Sequence, residues 1–417
     1  MSQVVINANA ESFVEKILTT DPAKVQSLTY KTAKTFPNVS KSIIEKAATT
    51  SFTGDFSNNT DIFEINQSDM LSGLRLKFTG VKPTSLTTVL KGAYAAENFI
   101  NTLTLMMNGS PLQALSGPAI KAYYEDSPAS VQEFHYRYAL PLRTTNEKPF
   151  TDAATDATTF VTYLGIPSYF FDAVFRNPYL KDTDIFSVQI LYNSTAQAGF
   201  DEAFTSLTTK LQVIKWRGDD TTMKMIKDVD YSNNQYRLGW STQTEQQVLT
   251  DTTSLSWTCQ AKYANFKLYP MIVRTSTAAN AAGGGAVYGC PKLPISKVTL
   301  QMGDEYFVYN FSKSMVNYEN AMRGASGSHK ITNSNGTATL VYDDEKNPCI
   351  EFSLECNDEF NSGMAAFKNL NNPIITIEYS GVAAGDVGKY TFYCVHKFWQ
   401  IIESDPSQKV LFTKVQT

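Results

Sequence analysis

The feature that most constrains this chain is that it repeats itself. INTLTLMMNG, starting at Ile100, returns as ISKVTLQMGD starting at Ile295, 195 positions later, with Ile, Thr, Leu and Met in register. AVFRN from Ala173 returns as AAFKN from Ala365 after 192 positions, and IFSVQI from Ile185 returns as IITIEY from Ile374 after 189. Each match alone is weak, because strands draw on few residue types. Three in the same order at nearly constant spacing point to tandem duplication of one fold. A chain of 417 residues also exceeds what one hydrophobic core usually serves.

The local pattern is that of sheet. Leu74, Leu76 and Phe78 alternate with Arg75 and Lys77, and Phe134, Tyr136, Tyr138 and Leu140 alternate with Glu133, His135 and Arg137. A period of two is what half-buried strands show, and it puts His135 on a solvated face. Eight such candidates precede residue 217, near 60–66, 71–79, 84–90, 99–107, 131–142, 158–166, 184–192 and 206–216. Eight antiparallel strands suffice for the two facing sheets of a jelly roll. One helix is expected at Ser168–Asn177, where Phe171, Val174 and Phe175 form a stripe, and the AAFKN match predicts its counterpart in the second half. The polar run RGDDTTMKMIKDVDYSNN, 217–234, lacks strand alternation and reads as a linker. The small-residue stretch Thr275–Gly289 reads as a surface loop. The expected organisation is therefore an arm over 1–50, a first jelly roll over 51–216, the linker, and a second jelly roll over 235–417.

The arm differs from everything after it. Asp21 and Pro22 make a helix start followed by Val25, Leu28 and Phe36, and a second short helix is expected over Ser42–Ala48. Lys24, Lys31, Lys34 and Lys41 occur between Pro22 and Ile44 with no acidic residue among them. A solvated helix docked on its own domain and an arm meeting an anionic surface both fit that run. The whole chain carries a formal charge of -4, which provides no general attraction to nucleic acid. No stretch reaches the roughly 20 apolar residues of a membrane-spanning helix, and MSQVVINANAESF does not look like a signal peptide, so a chain made in the cytosol is expected.

Catalytic and metal-binding patterns are sparse. Cys259, Cys290, Cys349, Cys356 and Cys394 are odd in number and lack CxxC spacing, so reduced thiols in or near a core are expected, with a zinc site or a disulfide framework as the lesser alternative. His135, His329 and His396 are too scattered in sequence to suggest a metal cage. There is no GxSxG elbow, and Gly388-Lys389 does not complete a phosphate loop. Asp343, Asp344 and Glu345 read as a turn, with a weak calcium site as the alternative, and Arg217-Gly218-Asp219 reads as a chance tripeptide. The expectation is a non-enzymatic chain without cofactor or bound metal.

Two segments carry a family resemblance. VTYLGIPSYFFDAVFRNPYLKDTDIFSVQILYN from Val161 is similar to the strand, Ile-Pro turn, helix and strand of double jelly-roll major capsid proteins from tailless icosahedral phages with an internal membrane. ENFINTLTLMMNGSPLQALSG from Glu97 resembles the mid-domain strand of that family. The resemblance implies an all-β fold of two eight-stranded jelly rolls, an N-terminal helix, and a short helix before the penultimate strand of each barrel. It further implies a homotrimer of pseudo-hexameric outline that tiles a virion shell, contacts lattice neighbours and minor capsid and vertex proteins, and binds no specific nucleic acid sequence. The arm would then face inward, with Lys24, Lys31, Lys34 and Lys41 toward membrane lipid or an adjacent capsomer. A viral spike and a polysaccharide-active β-sandwich enzyme are the alternatives in that order.

Overall fold

The alternating segments become antiparallel strands in the computed structural model, which describes residues 40–54, 59–66, 70–81, 96–128, 131, 135, 138, 139, 142–143, 159–172, 178, 180, 185–193, 204–218, 236–274, 292–311, 330–332, 338–340, 349–352, 363–367, 370, 372–404 and 411–415. The first half holds β1 (Ser40–Gly54), β2 (Thr60–Asn66), β3 (Met70–Val81), β4 (Ile100–Met107), β5 (Ser110–Ser116), β6 (Leu142–Arg143), β7 (Thr159–Gly165), β8 (Ile185–Tyr192) and β9 (Phe204–Arg217). They form two sheets, β1-β9-β3-β7-β6 and β2-β8-β4-β5. The second half holds β10 (Tyr236–Val248), β11 (Ser254–Thr258), β12 (Ala264–Arg274), β13 (Lys292–Leu293), β14 (Ile295–Met302), β15 (Glu305–Asn310), β16 (Lys330–Thr332), β17 (Ala338–Leu340), β18 (Ile350–Glu351), β19 (Ala365–Ala366), β20 (Ile374–Tyr379), β21 (Tyr390–Ser404) and β22 (Leu411–Val415). Its sheets run β10-β21-β12, with β13, β18 and β19 also on β12 and β22 on β21, and β11-β20-β14-β15; β16 and β17 make a separate ribbon.

Leaving aside β6, β13, β16 to β19 and the C-terminal β22, both halves share one wiring. The first strand pairs with the last and the last with the third, while the second pairs with the penultimate, the penultimate with the fourth and the fourth with the fifth. That wrapping is a jelly roll. The repeated segments fall on equivalent strands: the 100 and 295 copies are β4 and β14, and the 185 and 374 copies start β8 and form β20. Each of β4 and β14 turns through a two-residue hairpin, Asn108-Gly109 with φ of 49° and 81°, and Gly303-Asp304 with φ of 66° at the glycine. Such turns need left-handed backbone, which Gly and Asn accept at low cost.

Three expectations are corrected. Ser42–Ala48 is not helical but lies within β1, registered along β9 from Ser40 opposite Arg217. Its side chains alternate between exposed and half-buried, and the adjacent β-branched Ile43 and Ile44 suit a pleated edge better than a helix. The 131–142 strand is also overturned: Val131, His135, Tyr138 and Ala139 are helical, at spacings of a helical face. His135 is consequently buried, its ring stacked on Tyr124 at 3.6 Å and its Nε2 3.7 Å from Glu97 Oε2. Aromatic alternation there satisfied both periods, and packing against Tyr124 chose the helical one. Finally, Ala365–Ala366 of the AAFKN repeat is strand β19, paired to Ala264 and Asn265 of β12. The first copy, AVFRN over 173–177, lies outside the described residues; of the helix expected at Ser168–Asn177, a 3₁₀ turn at Tyr169–Phe171 is described, which Ser168 caps by accepting from Phe170 N.

The expected arm up to residue 39, the 84–90 strand, most of the linker, the Thr275–Gly289 loop and the 343–345 acidic turn lie outside the described residues. Each sandwich fills its interior from alternate strand positions. Phe99 lies between Phe78 at 5.2 Å and Phe160 at 6.3 Å in the first, and Leu255, Ile272, Leu300, Ile377 and Phe392 pack in the second. Burying each such side chain contributes about 1.5–3 kcal/mol.

Candidate functional site

The most heavily built polar region among the described residues lies between the two sandwiches. It starts at β5, an edge strand whose backbone groups need partners. Side chains of the second half supply them. Thr242 Oγ1 donates to Ala114 O at 2.8 Å, Ala114 N donates to Ser241 Oγ at 3.4 Å, and Gln400 Nε2 donates to Leu112 O at 2.7 Å. Ser116 and Thr244 hydroxyls meet at 2.6 Å.

Helix α1 (Gly117–Glu125) follows directly. Ser116 caps it by accepting from Ala119 N at 3.1 Å, and Pro118 stands in its first turn. Gly117 is required at the start because a Cβ there would lie 2.5 Å from Glu97 O and 2.7 Å from Ile100 O. The helix is buried on two sides. Ile120 and Tyr124 enter the first core, whereas Ala119 and Ala122 pack on Tyr269, Met271, Val273 and Val395 of the second sandwich. Ser116, Gly117 and Pro118 are a legible helix start, and the strand count passed over them.

Tyr123 and Asp126 of α1 region anchor the polar contacts. Tyr123 stacks on Trp240 at 5.5 Å, and its hydroxyl donates to Asp172 Oδ1 at 3.0 Å. Trp240 Nε1 donates to Asp172 Oδ2 at 3.1 Å, so one carboxylate of the first half orients both rings. Lys397 Nζ sits over Trp240 at 4.4 Å and within 5.4 Å of the Tyr123 and Phe266 ring centres. Asp126 Oδ2 accepts from Lys267 Nζ at 3.0 Å and from Tyr269 OH at 2.8 Å, with Glu351 Oε1 3.8 Å from the same ammonium. Lys267 and Lys397 are each only 3% exposed. Burying two ammonium groups is costly unless each is paired or set on aromatic faces, so this seam has one preferred geometry. Trp240, Phe266 and Trp399 of the second sandwich belong to the same hydrophobic cluster as the first core. The seam fuses two sandwiches into one block and holds no group arranged for bond chemistry among the described residues.

The lysines singled out in the arm are not brought together by anything described. Lys41 lies exposed on β1 opposite Trp216, and Lys24, Lys31 and Lys34 lie outside the described residues. Of the cysteines, Cys259, Cys349 and Cys394 are buried, as thiols in a core should be.

No protein-family model matches this chain, and no curated protein sequence matches it. Solved structures do. VP54 of PBCV-1, in a crystal structure fitted into a cryo-EM reconstruction of the virophage Sputnik, superimposes with a TM-score of 0.64 at 10% identity, covering 91% of this chain and 98% of that one. The Faustovirus major capsid protein superimposes with a TM-score of 0.56 at 9% identity, covering 97% and 99%. The fold is the double jelly roll of viral capsid proteins. A chain of the Sputnik virophage agrees, with a TM-score of 0.53, 11% identity and coverage of 90% and 88%. This double jelly roll therefore shares the arrangement of both sandwiches with those chains.

Proposed function

We propose that this double jelly roll is a major capsid protein whose homotrimer, pseudo-hexameric in outline, tiles an icosahedral virion shell. The observation that carries the reading is a mismatch between equivalent surfaces. In the first sandwich the fifth strand, β5, is covered by β10 and β21 of the second, but its counterpart β15 is exposed, with Tyr306 at 63% and Val308 at 51%. Conversely, the β10-β21 face is covered by the first sandwich, while its counterpart β1 exposes Ile43 at 53%.

Each chain thus ends in two uncovered surfaces that correspond to the two halves of its own seam. Docking β15 of one copy on the β1-β9 face of the next repeats the internal contact between molecules. Such a head-to-tail contact is heterologous, and it closes into a ring when the rotation divides a full turn. Three chains then present six similar sandwiches, a hexagonal outline suited to tiling. The function is structural, located in the virion capsid, and requires no catalytic residue. Its partners are copies of itself, lattice neighbours, and minor capsid and vertex proteins. The lysine-rich arm faces inward toward membrane lipid or an adjacent capsomer.

Light scattering on the purified protein tests the oligomer. Three chains of 46.3 kDa give a species of about 139 kDa. A stable monomer at assembly concentrations contradicts the reading.

A further inference from the structure

Glu245 of β10 and Cys259 just beyond β11, 14 positions apart, meet His396 of β21, 137 positions further on, inside the second sandwich. β10 and β21 are neighbours in one sheet, and β11 belongs to the facing sheet. Cys259 Sγ lies 3.4 Å from Glu245 Oε1 and 3.7 Å from His396 Nε2, and that nitrogen is 3.5 Å from the same carboxylate oxygen. A nitrogen–oxygen separation of 3.5 Å is long for a hydrogen bond. The triangle instead has the dimensions of a coordination face. Bonds of about 2.3 Å to sulfur and about 2.0–2.2 Å to nitrogen and oxygen, at tetrahedral angles, place the donor atoms about 3.3–3.7 Å apart.

The surroundings favour a ligand there. His396 is 0% exposed, and its Nδ1 has no hydrogen-bond partner among the described residues. Its Nε2 faces Glu245 Oε1 at 3.5 Å and Cys259 Sγ at 3.7 Å. A metal bond at Nε2 would give this buried ring a strong partner on its cluster side, where the Cys259 sulfur contact is long. The carboxylate is already oriented, since Glu245 Oε1 accepts from Gln260 N at 2.8 Å and Ala261 N at 2.5 Å. Together with Trp257 Nε1, which donates to Oε2 at 3.3 Å, these donors fix the carboxylate in place.

We propose that Glu245, Cys259 and His396 bind one divalent transition-metal ion, zinc by ligand preference, which ties the two sheets of the second sandwich together. Binding replaces the Cys259 thiol proton, released to solvent, by a sulfur–metal bond, while His396 ligates neutral through Nε2. A thiolate with an imidazole selects zinc over calcium or magnesium, and a water completes the fourth position. This site is independent of the shell reading.

The test uses the full chain. Elemental analysis of protein purified without chelator should find about one zinc per chain, and X-ray absorption should show one sulfur at about 2.3 Å. Cobalt added to chelator-treated protein should produce a thiolate-to-cobalt charge-transfer band. Cys259→Ser should abolish that band and weaken zinc binding at least tenfold. Because a core variant can unfold, the unaltered chain decides. No stoichiometric metal, no cobalt charge-transfer band, and equal melting with chelator or added zinc together overturn the site.

Discussion

The ammonium of Lys397 rests 4.4 Å from the centre of the Trp240 ring, and both residues are closed off from solvent where the two sandwiches meet. Lys397 belongs to the last long strand, and Trp240 opens the second half. Lys397→Ala removes both the cation–aromatic contact and the packing of its stem, a loss of about 2–4 kcal/mol. Denaturant unfolding measures that cost. Calorimetry should show the two sandwiches melting separately in the variant, because the contact that couples them is weakened.

The Asp126–Lys267 pair should behave quite differently from an ion pair on the surface. Asp126→Asn keeps the shape and removes the carboxylate charge 3.0 Å from the Lys267 ammonium, with Glu351 at 3.8 Å. Disrupting so buried a pair should cost about 2–4 kcal/mol. Lys297→Ala breaks a pair with Glu378 whose side chains are 34% and 48% exposed, and it should cost less than about 1 kcal/mol. Chemical denaturation of the two variants side by side gives the comparison.

Assembly should fail without loss of fold when β15 is charged. Tyr306 and Val308 share one face of that strand, opposite the half-buried Tyr309. Tyr306→Asp with Val308→Asp should give a 46.3 kDa species in light scattering, with unchanged circular dichroism and melting. Ile43→Asp on β1 should do the same from the other side of the contact. Trimers that survive both substitutions contradict the docking of β15 on β1.

Acid should loosen the first sandwich through Glu97. Burial by itself raises the carboxyl pKa, but His135 and Lys121 outweigh it and hold Glu97 below the ordinary 4.5. The folded state therefore favours the ionised form more than the unfolded chain does. That stabilisation is complete above about pH 4.5 and is lost as pH falls through the lower folded value. Glu97→Gln should reduce stability at neutral pH by roughly 1–3 kcal/mol and flatten its decline in acid, measured as melting temperature against pH.

The period-two pattern of Leu74, Leu76 and Phe78, and the recurrence of the Ile100 and Ile185 segments, were enough to locate β3 and the paired strands of both sandwiches. Alternation is a local property, set by which side of a pleat each residue occupies, so one chain carries it whatever it later packs against. Local pattern failed where two periods fitted the same residues. Around His135 the aromatic spacing allowed a strand, whereas in the folded chain the residue is helical and buried against Tyr124 and Glu97. At Ser42–Ala48 a lysine-containing run resembled a helix until β9 supplied backbone partners.

Nothing in the order of residues announces that Trp240 would complete the first core, that Asp126 would meet Lys267, or that Glu245, Cys259 and His396 would converge. The repeat by itself determined that the chain folds twice in one way. Which faces of those copies meet was decided only by tertiary structure, because contact across a seam depends on how sheets twist and pack, and residues more than a hundred positions apart leave no periodic trace of their approach.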